Sequence, residues 1–156
     1  MADKKQLLIV ANTPSENTRA LAEAALRGAK HPDIETVETN FLPPLDAGVS
    51  DVLRADGIIL GTTENFGYMS GALKDFFDRI YYPVLEEKQG LPYALYVRAG
   101  LDGSGTLVAV DRIITGLRWK AIQPPVLCHG NYQLEFIDQI EQLGLRMSAS
   151  LDAGIV

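Results

Sequence analysis

Phe66 and Tyr68 flank Gly67 in the stretch TENFGYM, immediately after an apolar run that ends at Thr63. Two aromatics at this spacing, beside a sheet end, cannot both enter one core. Gly67 and Gly71 let a flat ligand come close to the backbone, and a planar ring lying there would gain stacking and area burial. The competing assignment packs Phe66 on the following helix and leaves Tyr68 on the surface. The residues by themselves leave both assignments open.

Two other stretches carry related chemistry. NTPSENT, residues 12–18, holds Thr13, Ser15, Asn17 and Thr18 just before an Ala/Glu-rich segment. A helix starting there offers unpaired N–H groups and the positive end of its dipole, which suit a phosphate. Ser15 or Asn17 acting only as a helix cap is the alternative. No G-x-x-x-x-G-K-[ST] and no G-x-G-x-x-G occurs here, so a magnesium triphosphate and a dinucleotide fingerprint are both disfavoured and a terminal monophosphate remains. RAGLDGSGTL, residues 98–107, places Gly100, Gly103 and Gly105 within six residues. Such a loop brings backbone N–H groups to a ligand edge without side-chain interference, or simply connects two elements.

The elements that position these loops alternate in type. Compact apolar runs at 5–12, 56–63 and 91–100 predict buried strands, and the alternation at 33–40 predicts a strand of middling burial. Residues 18–30 favour helix by composition, with Gly28 standing as a C-terminal signal. A short helix is expected at 49–54. Residues 71–87 carry Leu73, Phe76, Phe77, Ile80 and Val84 at amphipathic-helix spacing, ended or bent by Pro83. Leu107, Val110, Ile113, Ile114 and Leu117 share a helical face, as do Phe136, Ile137, Ile140 and Leu143 in the closing segment. Residues 119–130 predict a fifth strand, and its two prolines place it at a sheet edge. Five strands alternating with helices predict an α/β domain spanning residues 1–156, its parallel sheet covered on both faces. Ligands of such sheets bind beyond the carboxyl ends of the strands, and all three polar loops lie there.

Composition narrows the partners. A formal charge of −6 and no basic stripe argue against nucleic-acid binding. No apolar run is long enough for a membrane helix, and no leader-like segment opens the chain, so a cytoplasmic protein without a membrane span is expected. A single cysteine, Cys128, and two histidines far apart, His31 and His129, disfavour a disulfide and a metal site. Cys128 is expected to be a buried apolar residue, and Lys74–Asp78 and Asp75–Arg79 to be solvent-face ion pairs.

Taken together, the loops resemble the flavodoxin-like superfamily, most closely its short NAD(P)H-dependent FMN reductase and quinone reductase branch. NTPSENTRALAEAALRGAK is similar to the phosphate loop and first helix of that branch, and ENFGYMSGALKDFFDRI to its flavin-ring loop and the G-x-L-K-x-F-x-D-R helix. LRWKAIQPPVLCHG resembles its last strand. The resemblance implies a flavodoxin-like three-layer sandwich with a five-stranded parallel sheet of order 2-1-3-4-5 and FMN at its edge. It assigns Thr13, Ser15, Asn17 and Thr18 to the phosphate, Thr63, Glu64, Asn65, Phe66, Gly67 and Tyr68 to the ring loop, and Ala99, Gly100, Gly103 and Gly105 to the third loop. NADH or NADPH is the implied donor and a quinone, flavin or similar small molecule the acceptor, with no catalytic triad. The branch also allows a homodimer, with Tyr81 and Tyr82 either in the contact or in local packing. Two departures stand out: Glu16 occupies a position where flavodoxins usually carry glycine, and the third loop lacks their stacking aromatic. An electron carrier serving protein partners, and a flavin-free interaction domain, are the rival expectations.

Overall fold

The computed structural model describes residues 3–156. The chain runs β1 (Lys5–Ala11), α1 (Glu16–Ala29), β2 (Val37–Leu42), α2 (Val49–Arg54), β3 (Gly57–Thr63), α3 (Gly71–Leu85), β4 (Pro92–Ala99), α4 (Ser104–Leu117), β5 (Lys120–Ala121), β6 (Val126–His129) and α5 (Glu135–Asp152). Its parallel sheet has the order β2-β1-β3-β4-β5, with β6 also paired to β4. The expected fifth strand is therefore two short strands on one edge. Pro124 and Pro125 fall between them, where a ladder donor would be missing.

Side chains of β1 alternate between two cores. Leu8 and Val10 join α2, α3 and α4, whereas Leu7 and Ile9 join α1 and α5. Every predicted inward residue of α3 is buried, from Leu73 through Val84. Pro83 does not end that helix, which continues to Leu85. Only the last turn follows it, so the lost backbone bond comes where the helix is about to stop. In α4 the buried stripe is Thr106, Val110, Ile114 and Leu117, with Leu107 and Ile113 half-buried beside it. β2 begins four residues later than expected, at Val37, and Ile34 packs ahead of it.

Gly28 is not a terminal signal. It lies inside α1, facing α5, and a Cβ there would come within 2.0 Å of the Glu141 carbonyl oxygen. Gly144 mirrors it, with a Cβ falling 2.1 Å from the Ala25 carbonyl oxygen. These two glycines set the close approach of α1 and α5, which the Arg27–Glu141 ion pair at 2.8 Å flanks. Neither backbone can yield without moving its helix. Gly144→Ala is expected to cost about 1–3 kcal/mol through overpacking, seen as a lower urea midpoint with an unchanged m-value.

Registry brings the carboxyl ends together. Ala11 pairs with Gly61 across β1 and β3, Thr63 with Arg98 across β3 and β4, and Ala99 with His129 across β4 and β6. The connections that leave β1, β3 and β4 therefore meet at one rim. Strand order reverses between β1 and β3, the switch point at which such sheets bind ligands.

Candidate functional site

The first loop leaves β1 at Asn12, whose N–H donates to the Gly61 carbonyl at 3.0 Å. Ser15 is the N-cap of α1. Its Oγ accepts from Thr18 N–H at 3.2 Å, and Thr18 Oγ1 accepts from Ser15 N–H at 3.0 Å. This capping box commits both hydroxyls to the helix first, and Thr18 is buried beneath it. Capping and anion binding are compatible here. The backbone N–H groups of Thr13, Glu16 and Asn17, and the side chains of Thr13 and Asn17, make no hydrogen bond among the described residues. Asn17 and Glu16 are exposed and Thr13 half-buried. The loop thus presents several unsatisfied donors at the positive end of a 14-residue helix, the chemistry a phosphate requires.

The second loop is a tight hairpin. Asn65 and Tyr68 exchange two backbone hydrogen bonds, at 2.8 and 3.0 Å. The two residues between them both have positive φ, 53° at Phe66 and 73° at Gly67. Gly67 adopts that region freely, whereas a phenylalanine there stores roughly 1–2 kcal/mol of strain. Phe66 is nevertheless fully exposed, at 108% relative accessibility. It does not pack on α3. Its partner aromatic turns elsewhere: Tyr68 is 41% exposed and lines a groove between α3 and α4 with Lys74 and Tyr81. The structure therefore separates the two aromatics that the sequence sets side by side.

Asn12 and Glu64 tie the three loops into one unit. Asn12 Nδ2 donates to Thr63 Oγ1 at 3.3 Å, and Thr63 Oγ1 donates to Asn65 Oδ1 at 2.8 Å. The Glu64 carboxylate accepts from Leu101 N–H at 3.2 Å and Gly103 N–H at 3.0 Å. Two of the third loop's donors are thus held by Glu64. Gly105 packs so closely on the hairpin that a Cβ would lie 2.0 Å from the Gly67 carbonyl oxygen, and Thr106 Oγ1 donates to Tyr68 O at 2.9 Å. Gly103 has φ 70° and sits against Leu127. Among the third-loop glycines only Gly100 faces open space. Ala99 is buried, and its carbonyl accepts from Gly130 N–H at 2.9 Å and from Arg98, so it supports the rim from below.

Several rim residues escaped the sequence reading. Asn12 is the first residue past β1 and links two loops. Leu101, in the third loop, is 76% exposed. Arg98 donates to the Ala99 and Cys128 carbonyls and stacks on Tyr132 and Phe136, with its guanidinium carbon 5.8 and 5.4 Å from the ring centres. Asp102 accepts from Ser104 N–H and Oγ, which hold its carboxyl below the usual carboxylate range. The D-x-S spacing was a legible sign of that turn.

Cys128 behaves as expected of a buried apolar residue. Burial pushes its thiol up to about 11, against an opposing pull from the Arg98 charge. The folded chain therefore keeps the neutral thiol between about pH 9 and 11, where the unfolded chain loses its proton, and the stability this contributes fades as pH rises through that window. At pH 8 Cys128 is expected to resist iodoacetamide until the chain is denatured, as intact-mass measurement would record.

A doubly wound parallel sheet of order β2-β1-β3-β4-β5, with helices on both faces, is the flavodoxin-like fold. The NADPH-dependent FMN reductase family profile matches residues 5–127, and the chain belongs to that family. A flavodoxin of Aquifex aeolicus is 31% identical over 112 residues, covering 72% of this chain and 60% of the relative, so the match spans somewhat under two thirds of that protein. A flavodoxin from the domain Archaea superposes with TM-score 0.76 at 17% identity, covering 94% of this chain and 98% of its own. A WrbA-like flavodoxin from Agrobacterium tumefaciens gives TM-score 0.73 at 14% identity, covering 97% and 99%. These likenesses establish the fold.

Proposed function

We propose that the chain binds FMN at this rim and acts as an NAD(P)H-dependent oxidoreductase that passes electrons to a quinone, flavin or similar small acceptor. The observation that carries the reading is Phe66: a bulky aromatic held in left-handed backbone, fully exposed, on a hairpin bonded to both neighbouring loops. Strain of this kind persists where the surroundings over-determine it, and it clusters at ligand sites. When bound, FMN supplies the hydride-accepting and electron-donating chemistry of its ring.

The residues present fit that cofactor. Thr13, Ser15, Asn17 and the N–H groups at the start of α1 would hold the phosphate, with Thr18 keeping Ser15 in place. Asn65 and Phe66 would border one side of the ring, and Gly100 and Leu101 the other. Glu64 fixes the backbone of the third loop and so decides which of its N–H groups remain free to meet negative charge on a reduced ring. Glu16 is exposed, and its carboxylate is expected to turn to solvent when the phosphate binds.

The reading of an electron carrier is favoured by one relative's name, flavodoxin, and by the charge of −6. Anaerobic addition of NADH or NADPH to the FMN-loaded chain separates the two. Rapid bleaching of the flavin absorbance is expected of the enzyme. Bleaching only when a reductase protein is added would make the chain a carrier, and failure to take up FMN at all would remove both readings.

A further inference from the structure

Five buried side-chain polar atoms find no hydrogen-bond partner among the described residues: Thr39 Oγ1, Tyr96 OH, Trp119 Nε1, Gln123 Oε1 and Ser148 Oγ. Such orphans are few in folded chains, and each calls for a cause. Four of them lie away from the rim. Thr39 pairs with Leu7 and through it with Gly57, at the amino end of the sheet. Ser148 stands on α5 between Met147 and Leu151, which pack on Gly57 at that same end. Trp119 precedes β5 beside the start of β4, and Gln123 follows β5 on the outer edge.

Tyr96 is placed differently. It pairs with Gly61, and Gly61 pairs with Ala11, the last residue of β1. A Cβ on Gly61 would collide with Tyr96 Cζ and with its hydroxyl oxygen. The phenol therefore reaches from β4 across β3 toward β1, over a residue whose missing side chain leaves it room. The Gly61 carbonyl accepts from Asn12 N–H at 3.0 Å, so this row of the sheet runs directly into the first loop. Neighbouring strands lie about 4.8 Å apart, so the hydroxyl stands roughly one water from the end of β1, on the face that α1 covers. Tyr96 is 3% exposed, and burial pushes its pKa upward, which keeps it a neutral donor. A hydroxyl sealed away without an acceptor costs free energy that a ligand accepting its proton restores.

We infer that the Tyr96 hydroxyl belongs to the phosphate site, donating through one ordered water to the monoester held at the start of α1. The inference rests on the FMN reading, and it adds a positioning residue that none of the three loops contains. A bridging water gives nearly the enthalpy of a direct bond. The assignment also gives a reason for Gly61, which opens the path that the phenol takes.

The test uses the full chain. Tyr96→Phe removes one oxygen and keeps the ring in its core. In fluorescence quenching titrations it is expected to weaken FMN about tenfold and riboflavin by less than about twofold. Without flavin, the variant is expected to keep or raise its urea midpoint, because it no longer buries an orphan. Ser148→Ala removes another orphan hydroxyl at the far end of the sheet and should change neither affinity. A second measurement needs no substitution: with tyrosine isotope-labelled at Cζ, the Tyr96 signal is expected to move more on FMN than on riboflavin. Equal weakening of both flavins by Tyr96→Phe, weakening of neither, or a Tyr96 signal that responds alike to the two would each overturn the assignment and leave the flavin reading standing. Uptake of neither flavin by the unaltered chain would remove that reading and this assignment with it.

Discussion

Thr13→Ala combined with Asn17→Ala is expected to weaken FMN binding roughly hundredfold and to leave riboflavin binding within about twofold of the unaltered chain. Both side chains lack a partner among the described residues, so their removal breaks nothing seen to hold the loop. Each would form a hydrogen bond to a phosphate oxygen, and bonds to charged groups contribute about 1.5–3 kcal/mol apiece. Solvent exposure reduces this, which sets the expected loss near the lower end. Riboflavin has no phosphate and supplies the internal control. Fluorescence quenching titrations of both flavins measure the difference. Equal weakening of the two would mean that the loop reads the ring or merely shapes the rim. Ser15→Ala is a poorer test, because it also removes the cap of α1 and so mixes stability with affinity.

Phe66→Asn is expected to move stability and affinity in opposite directions. Asparagine tolerates the left-handed region, so the hairpin loses strain and the chain gains about 1 kcal/mol in a urea melt. Phe66 has no contact to surrender, being fully exposed. The ring that it would cover loses an apolar face whose burial is worth roughly 1.5–3 kcal/mol, so FMN affinity falls about ten- to hundredfold. A variant that became less stable would show Phe66 to be a packing residue. One that gained stability with unchanged affinity would show it to be an idle tip.

Much of the architecture was legible because its causes are local. Leu73, Phe76, Phe77, Ile80 and Val84 report a helical face by spacing alone, and that face is the buried one. The prolines at 124 and 125 report a sheet edge through their missing donors, although not that the strand would break in two. Gly28 misled because its neighbour is Glu141, over a hundred residues later, and no local pattern reveals a helix crossing. The loops were legible as to position and donor content but not as to their mutual bonds. By sequence Glu64 is one more member of the ring loop, with no bond to another loop in view. Its two bonds to Leu101 and Gly103 span 37 and 39 residues and make it the clasp of the third loop. Likewise, Gly103 and Gly105 are glycines chiefly because Leu127 and the Gly67 carbonyl crowd them. Phe66 and Tyr68 look equivalent in sequence, and only the hairpin's two positive φ angles point them to different places.

The central claim is that the loop from Thr13 to Thr18 grips a phosphate monoester while a flat ring lies beside Phe66. A crystal structure of the chain saturated with FMN tests it most directly. The phosphate is expected within hydrogen-bond distance of the Glu16 and Asn17 backbone N–H groups, with the ring against Phe66 and the Glu16 carboxylate turned outward. A phosphate found elsewhere, or a rim empty of flavin at saturation, would contradict the account.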